Sequence, residues 1–400
     1  MTRNVAIVSA TSAFTFVLIL GIVNLFADFT YEGGAAFNGQ FLAELGASAF
    51  AISTIAGAGE FLGYSLRSVA GYAADRSGKY WLVTFLGYAI NLLAVPAMAL
   101  AGNWQAAAAL ICAERIGRAL RKPTVEAMLS YPTGKYGKGW IYSLNTALDE
   151  TGAALGPLFA AAALYLRADF RTTYSLLLVS SVAALGLLTL ARFYFPVPQK
   201  LEEGGPKTAS AIGFTSAYWL YMLGGAFFAA GLMSFELVAY HLSSSGVATE
   251  FWTPIFLALA TVAAIIASLL LGRLFDRVGI PAVVIGVLIA AAFSPFVFFG
   301  GFWVALIGML LWGVGYAVQD TMLKVLIASV LPEGKRNMAF GLFYLGYGGG
   351  WLIGSIVTGL LYERSHAALV VFAIVAQLAS LPFFVVGSRQ MLRKPTRDTV

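Results

Sequence analysis

The sequence predicts an all-α integral membrane protein: twelve transmembrane helices in two six-helix bundles, with both termini cytoplasmic. Three observations predict it. Apolar stretches of about 20 residues, the length that spans a bilayer, recur along the whole chain. Only 11% of the 400 residues are charged and 60% are hydrophobic, whereas soluble domains carry about 25% charged residues. The basic residues fall mostly in alternate loops, as membrane topology predicts.

The helices are expected at 7–31, 45–72, 80–101, 104–131, 138–166, 172–195, 214–241, 251–274, 280–299, 302–331, 337–362 and 367–388. The first contains AIVSATSAFTFVLILGIV, long enough to span and without a small-residue cleavage site, so it reads as a helix rather than a cleaved leader. Between the sixth and seventh lies PVPQKLEEGGPKTAS, with three prolines, two adjacent glycines and mixed charge. That composition is a linker. It divides the chain into an N-terminal bundle at 1–195, a cytoplasmic linker at 196–213 and a C-terminal bundle with a short tail at 214–400. The single cysteine, Cys112, allows no intramolecular disulfide and sits in an apolar run as packing.

Orientation follows from Lys and Arg. One side holds Arg3, Arg67, Arg76, Lys79, Lys135, Lys138, Arg192, Lys200, Lys207, Arg273, Arg277, Lys335, Arg336 and the basic tail; the other holds Arg167, Arg171 and Arg364. The basic side is the cytoplasmic one. This distribution also accounts for the net charge of +6 without nucleic acid.

The chain repeats itself. Asp75 and Asp276 are 201 residues apart, and Gly117 and Gly315, Gly152 and Gly350, and Gly156 and Gly354 are each 198 apart. Because each half holds an even number of helices, both enter the membrane from the same side, which makes the repeat parallel.

GYAADRSGK, with Gly71, Asp75, Arg76, Gly78 and Lys79, interrupts the apolar text between the second and third helices. GRLFDRVGI, with Gly272, Asp276, Arg277 and Gly279, echoes it in the second half. Over nearly the whole chain this pattern resembles the major facilitator superfamily, whose loop signature is G-x-x-x-D-R-x-G-[RK]. Arg115 in ERIGRALRKP is similar to that family's fourth-helix arginine, although Ala119 stands where a glycine is usual. GAALGP, from Gly152 to Pro157, resembles the G-x-x-x-G-P stretch of its exporters, with Ala160 and Ala161 in place of the closing glycines. The resemblance implies a secondary transporter working by alternating access, with Gly71, Asp75, Arg76, Gly78, Lys79, Asp276 and Arg277 forming gating loops. Physically, the Asp75 carboxylate can accept from free N–H groups at the start of the eleventh helix, latching the halves. Gly152, Gly156, Pro157, Gly346, Gly350 and Gly354 are expected to allow close helix packing.

Ionisable residues within hydrocarbon face protein or water and mark pathways. In the first helix Asn24, Asp28 and Glu32 follow at i, i+4 and i+8, on one face; Asp28 is expected in the outer half of the membrane and Glu32 near the exit. Glu60 is expected near the midplane as an unpaired acid or as the partner of a fourth-helix arginine. Arg115, Arg118 and Lys122 share a face that Glu126 continues, with Glu114 and Arg121 elsewhere. Asp149, with Asn145 one turn before and Glu150 after it, is expected to pair with Arg118 or Lys122. In the second half Glu236 stands on the seventh helix, and Asp320 and Lys324 form an i, i+4 pair on the tenth. His241 and His366 are expected near the outer surface and solvated. The proton-coupling candidates are thus Asp28, Glu60, Asp149 and Glu236. The cavity candidates are Asn24, Asp28, Arg115, Arg118, Asn145, Asp149, Asp320 and Lys324.

No P-loop is present, so the drive is expected to be a gradient, and no H-E-x-x-H pair or nucleophile elbow suggests an enzyme. No cofactor and no metal are expected. The predicted activity is proton-coupled export of a small molecule by a monomer in the cytoplasmic membrane, its partners being substrate, protons and lipid. Import or exchange of an anionic metabolite, held by the fourth-helix cations, stays open, as does a lipid-transporting or non-transporting role.

Overall fold

The computed structural model describes residues 10–130, 138–197, 214–330 and 336–392. The core of the predicted linker, 198–213, lies outside them, as do the side chains of Asp75 and of 336–340. The described residues are helical with short connections, and each predicted span overlaps helix within them.

In chain order the first helices are α1 (Ala10–Glu44), α2 (Ala49–Ser77), α3 (Tyr80–Ala97, extended by a 3₁₀ turn at Met98–Leu100), α4 (Trp104–Ser130), α5 (Lys138–Tyr165) and α6 (Phe170–Tyr194). Then come α7 (Ser216–Leu232), α8 (Phe235–Ser244), α9 (Trp252–Val278), α10 (Ile280–Ala291), α11 (Phe293–Phe299), α12 (Phe302–Ala317), α13 (Lys324–Ser329), α14 (Arg336–Arg364) and α15 (His366–Leu392). Among the described residues, eight segments are long and apolar enough to cross a membrane. One of the eight joins α7 to α8, one joins α10 to α11, and one runs from α12 into α13. Of the four helices outside that set, α2, α4 and α5 each carry several charges and α14 is rich in glycine, which lowers their hydropathy.

Three spans differ from expectation at places that matter. First, α1 runs 13 residues past its predicted end at 31. Gly33 and Gly34 look like a stop signal but serve close packing. A Cβ on Gly33 would lie 3.2 Å from the Gly156 carbonyl oxygen, and one on Gly34 would lie 2.8 Å from Val95. Asp28 therefore sits near the middle of α1 rather than in its outer half, and Glu32 is interior rather than at an exit. Second, α2 continues through Gly71, Asp75 and Arg76 to Ser77. Only Gly78, at φ 64°, and Lys79 make the turn, and the Gly78 N–H caps the helix on the Ala74 carbonyl. Third, the seventh span is broken: Met233 has φ 60° and ψ 148°, and Ser234 starts a new helix, α8. Trp312 Nε1 donates to the carbonyls of Leu232 (3.1 Å) and Met233 (3.2 Å), and Gln377 Nε2 donates to Gly231 (2.9 Å). The break is tolerable in a membrane because these carbonyls find partners inside the protein.

The repeated glycines do repeated work. A Cβ on Gly152 would come within 2.2 Å of the Leu25 carbonyl oxygen, and one on Gly156 within 2.4 Å of that of Phe29. In the second half the same clash arises between Gly350 and Ala226 (2.2 Å) and between Gly354 and Ala230 (2.3 Å). Thus α5 lies directly on α1, and α14 directly on α7. Gly346 continues the stripe against Met222, and Pro157 is buried beside Gly156. Gly71, by contrast, faces Pro123 of α4 rather than the eleventh span.

The first six helices meet the later ones chiefly as α2 on α14, α1 on α8 and α5 on α9. At the face where α1 turns into α2 through Gly46, the contacts are specific. Ser53 Oγ donates to the Ser355 carbonyl (2.6 Å), Glu363 Oε1 accepts from the Phe50 N–H (3.0 Å), and Gln40 Nε2 donates to Thr253 Oγ1 (3.1 Å). Tyr165 meets Phe251 edge-on at 5.5 Å.

Candidate functional site

Below that seal lies a cavity of about 690 Å³. It is closed toward the Gly46 face and continues toward the Gly78 face, where its wall reaches Leu129 in the last turn of α4. Asn24, Asp28, Arg115, Arg118, Asn145, Asp149, Asp320 and Lys324 all line it, as do Glu60 and Glu236.

Arg115 is the hub. It is 7% exposed, and three of its nitrogens address three carboxylates on three helices. Nη1 lies 2.8 Å from Glu60 of α2, Nη2 3.2 Å from Glu236 of α8, and Nε 3.3 Å from Glu114 of α4 itself. A guanidinium can do this because its donors fan out in a plane; a lysine ammonium is a point charge. Arg118 shares the same acids, with Nη2 3.2 Å from Glu60 and Nε 3.6 Å from Glu114, and its guanidinium lies 4.7 Å from the Tyr31 ring centroid. Glu60 is therefore a doubly paired acid and not an unpaired one. Asn91 Nδ2 donates to Glu114 (2.8 Å), which orients the carboxylate.

A second cluster surrounds Arg121, which is 3% exposed. Its Nη2 lies 3.0 Å from Asp28, and its Nη1 donates to Asn24 Oδ1 (3.3 Å) and to the Tyr88 hydroxyl (3.5 Å). Tyr88 in turn donates to Asn24. Asn24 Nδ2 donates to Asn145 Oδ1 (2.9 Å), and Asn145 Nδ2 donates to Asp149 Oδ2 (3.3 Å). Asp149 thus connects to a cation only through two amides. Among the described residues it forms no ion pair with Arg118 or Lys122, because Arg118 is turned toward Glu60 and Glu114. The Asp149 Oδ1 atom is buried with no hydrogen-bond partner among the described residues.

The sequence pattern missed Glu114 and Arg121 because it required a shared helix face. Arg121 is long enough to reach Asp28 of α1, and Glu114 turns to Asn91 of α3 and to the arginines of its own helix. Tyr88 and Asn91, two polar groups one turn apart in the otherwise apolar α3, were the signal available for both clusters. Glu236 stands in the first turn of α8, so the break at Met233 is what brings it to Arg115.

Asp320 and Lys324 pair with each other at 3.3 Å. Asp320 lies in a π-helical turn, Val318–Leu323, that also aims Gln319 at Tyr64 (2.8 Å) and Tyr347 (2.7 Å). Of the cavity-helix aromatics, Trp312, Tyr316, Phe343, Tyr344 and Tyr347 line the space, whereas Tyr221 and Phe228 are core packing and Phe227 is exposed. His241 is buried rather than solvated, with Nδ1 3.0 Å from the Tyr362 hydroxyl and its ring against Phe298 and His366. At the Gly78 face Arg76 bonds Tyr72 within its own helix (3.2 Å), Lys79 is exposed, and Asp276 and Arg277 are exposed at the end of α9. Among the described residues none of these four bridges to another helix.

The model of the Major Facilitator Superfamily matches the chain over residues 5–323 and again over 255–399. The chain belongs to this superfamily. An uncharacterised protein of Mycobacterium tuberculosis is 32% identical over 378 residues, covering 93% of this chain and 92% of its own. An uncharacterised transporter of the superfamily from Methanocaldococcus jannaschii is 26% identical over 367 residues, covering 87% and 89%. Among solved structures, the peptide transporter POT superposes with a TM-score of 0.73 over 93% of this chain and 94% of its own at 15% identity, which is a likeness of fold. The superfamily is one of multi-pass membrane transporters and not an enzyme class. Its membership gives the cavity between α1, α4, α8 and the α12–α13 span its context: a polar hollow inside an otherwise apolar bundle.

Proposed function

We propose that the protein is a proton-coupled secondary transporter that exports a small molecule across the cytoplasmic membrane. Two halves, α1–α6 and α7–α15, each read as six membrane spans, rock about the central cavity. With the basic Gly78 face cytoplasmic, the state described above is inward-facing: sealed outside and open inside. The segments Gly71–Lys79, at the end of α2, and Asp276–Arg277, at the end of α9, would engage only in the opposite state, which fits the exposure of Arg76, Lys79, Asp276 and Arg277 here. The monomer suffices for this cycle.

The observation that carries the proposal is Arg115 binding Glu60 and Glu114 of one half and Glu236 of the other. Protonation of Glu236 would remove one charge from that tie and weaken the contact between halves, while Arg115 stays neutralised by the other two acids. Asp28 is locked to Arg121, so its proton uptake would be linked to release of that arginine. Asp149 is the cavity acid whose only links to a cation among the described residues run through two amides. Among the described residues eight carboxylates and six cations line the cavity, a balance that favours a cationic or neutral solute over the anionic metabolite that the α4 charges alone suggested.

The test is transport in proteoliposomes with an imposed pH gradient and a pH dye trapped inside. Solute flux should accelerate with the gradient and be accompanied by counter-movement of protons, and Glu236→Gln should uncouple the two. Flux indifferent to the gradient would refute the coupling.

A further inference from the structure

One acid of the arginine hub faces away from the solute space. Glu60 and Glu236 line the main cavity, whereas Glu114, among the described residues, stands on the wall of a second pocket and not of the first. That pocket measures about 10 Å³, close to the least room that holds one water. It lies within the first half, between α1, α3, α4 and α6, and Tyr31 divides it from the main cavity by lining both. Its remaining wall lies toward the Gly46 face: Tyr174 is in the second turn of α6, Leu110 in the second turn of α4, and Met98 in the turn that ends α3. Tyr31, Asn38, Glu114 and Tyr174 make the wall polar, and the Tyr174 hydroxyl donates to Asn38 Oδ1 at 2.6 Å. A hole of this size stays dry when apolar and takes water when polar. The Glu114 carboxylate also has acceptor capacity to spare. Among the described residues one side chain, Asn91, donates a hydrogen bond to it, and a carboxylate can accept about four. Arg115 and Arg118 approach it at 3.3 and 3.6 Å through Nε atoms that make no hydrogen bond among the described residues. Both arginines line the main cavity, which puts their fixed positive charge between Glu114 and the solute.

We propose that Glu114 takes its proton from the outer side through this pocket, by a water route inside the first half that the solute does not share. A proton carried by water in the pocket adds to a Glu114 carboxylate oxygen. The carboxyl becomes neutral and gives up its attraction for Arg115 and Arg118, while Arg118 stays paired with Glu60 and Arg115 with Glu60 and Glu236. The two guanidinium charges bar the proton from continuing into the main cavity, as cationic side chains do in water-filled pores. The outer bath thereby sets the charge of the hub while the solute cavity is open to the inside alone, and the two sides are not joined by a leak. The proposal rests on the reading above for which face is outer and for the use of protons.

Sided acidification tests the route without a solute. Proteoliposomes loaded at single-copy density are sorted by capture of the C-terminal tail, which separates those with the inner face toward the bath from those with the outer face toward it. The lumen is held neutral and checked with a trapped pH dye. The bath is then acidified and the infrared band of protonated carboxyl is recorded. The share that belongs to Glu114 is the share missing from Glu114→Gln; should that variant fail to fold, Asn91→Leu, which removes the donor to Glu114, identifies it by a shift. The Glu114 band is expected to rise when the outer face meets acid and not when the inner face does. Ala94→Val, which fills the pocket, should lose the rise, and Asn38→Leu, which makes its wall less polar, serves if Ala94→Val elutes as aggregate. A band that rises equally from both sides, from the inner side alone or from neither, or that survives in the filled pocket, overturns the proposal. Outer-side protonation of Glu114 together with solute flux indifferent to a pH gradient would sink proton coupling and leave the route intact; gradient-driven flux with Glu114 reached from the inner side would do the reverse.

Discussion

Arg115 shows how one side chain can serve both stability and switching. Removing it leaves Glu60, Glu114 and Glu236 converging on an empty centre, and breaking a buried pair in this way costs about 3–5 kcal/mol. Arg115→Ala should therefore melt well below the wild type in detergent, and Arg115→Lys should recover only part of the loss because its single nitrogen replaces three nitrogens that each meet a different carboxylate. Thermal unfolding followed by intrinsic fluorescence checks both, and equal melting of Arg115→Lys and wild type would refute the three-way role. Arg121→Gln should have a different signature. It strands Asp28 and disturbs the amide chain to Asp149, so solute affinity should change along with stability.

At the scale of the element, glycine has two meanings that the text alone does not separate. Gly152 and Gly350 sit where a single added methyl group would overlap a neighbouring carbonyl. Gly152→Ala and Gly350→Ala should each destabilise by about 1–3 kcal/mol through overpacking, with equivalent effects in the two halves. Gly186, in the middle of α6, has nothing within 4 Å of the position a Cβ would take. Gly186→Ala should be neutral or stabilise by about 0.5–1 kcal/mol through helix propensity. Melting temperatures of the three variants decide this; a loss for Gly186→Ala as large as for Gly152→Ala would overturn the packing assignment. The broken α7–α8 span belongs to the same scale. Its bend is held open by Trp312 and Gln377, so Trp312→Phe, which removes the donor but keeps the ring, should loosen the bend and shift Glu236 away from Arg115.

For the whole molecule, the seal at the Gly46 face is the feature that rocking must break. Ser53 and Ser355 meet there across α2 and α14. A Ser53→Cys/Ser355→Cys pair, oxidised, should hold the seal shut and arrest transport in proteoliposomes, and reduction should restore it. Undiminished flux in the fully crosslinked protein would show that the α2–α14 contact does not need to open. The same experiment in a Cys112→Ala background removes the native thiol as a competitor.

The sequence by itself determined the membrane class, the helical spans and the family, because these follow from hydropathy length, charge segregation and spacing along one chain. It also marked the interior acids and bases, since an ionisable group in hydrocarbon stands out wherever it points. Only the tertiary structure decided which of them meet. Asp149 was expected beside Arg118 or Lys122 from its depth alone, but Arg118 is claimed by two glutamates, and Asp149 ends an amide chain instead. The continuation of α1 through Gly33 and Gly34 and the bend at Met233 were illegible for a related reason: one depends on what lies against the glycines, the other on which donors receive the freed carbonyls. Periodicity fixes the direction of a side chain around its own helix axis, whereas pairing in a low-dielectric interior is settled by neighbours contributed from distant stretches of the chain.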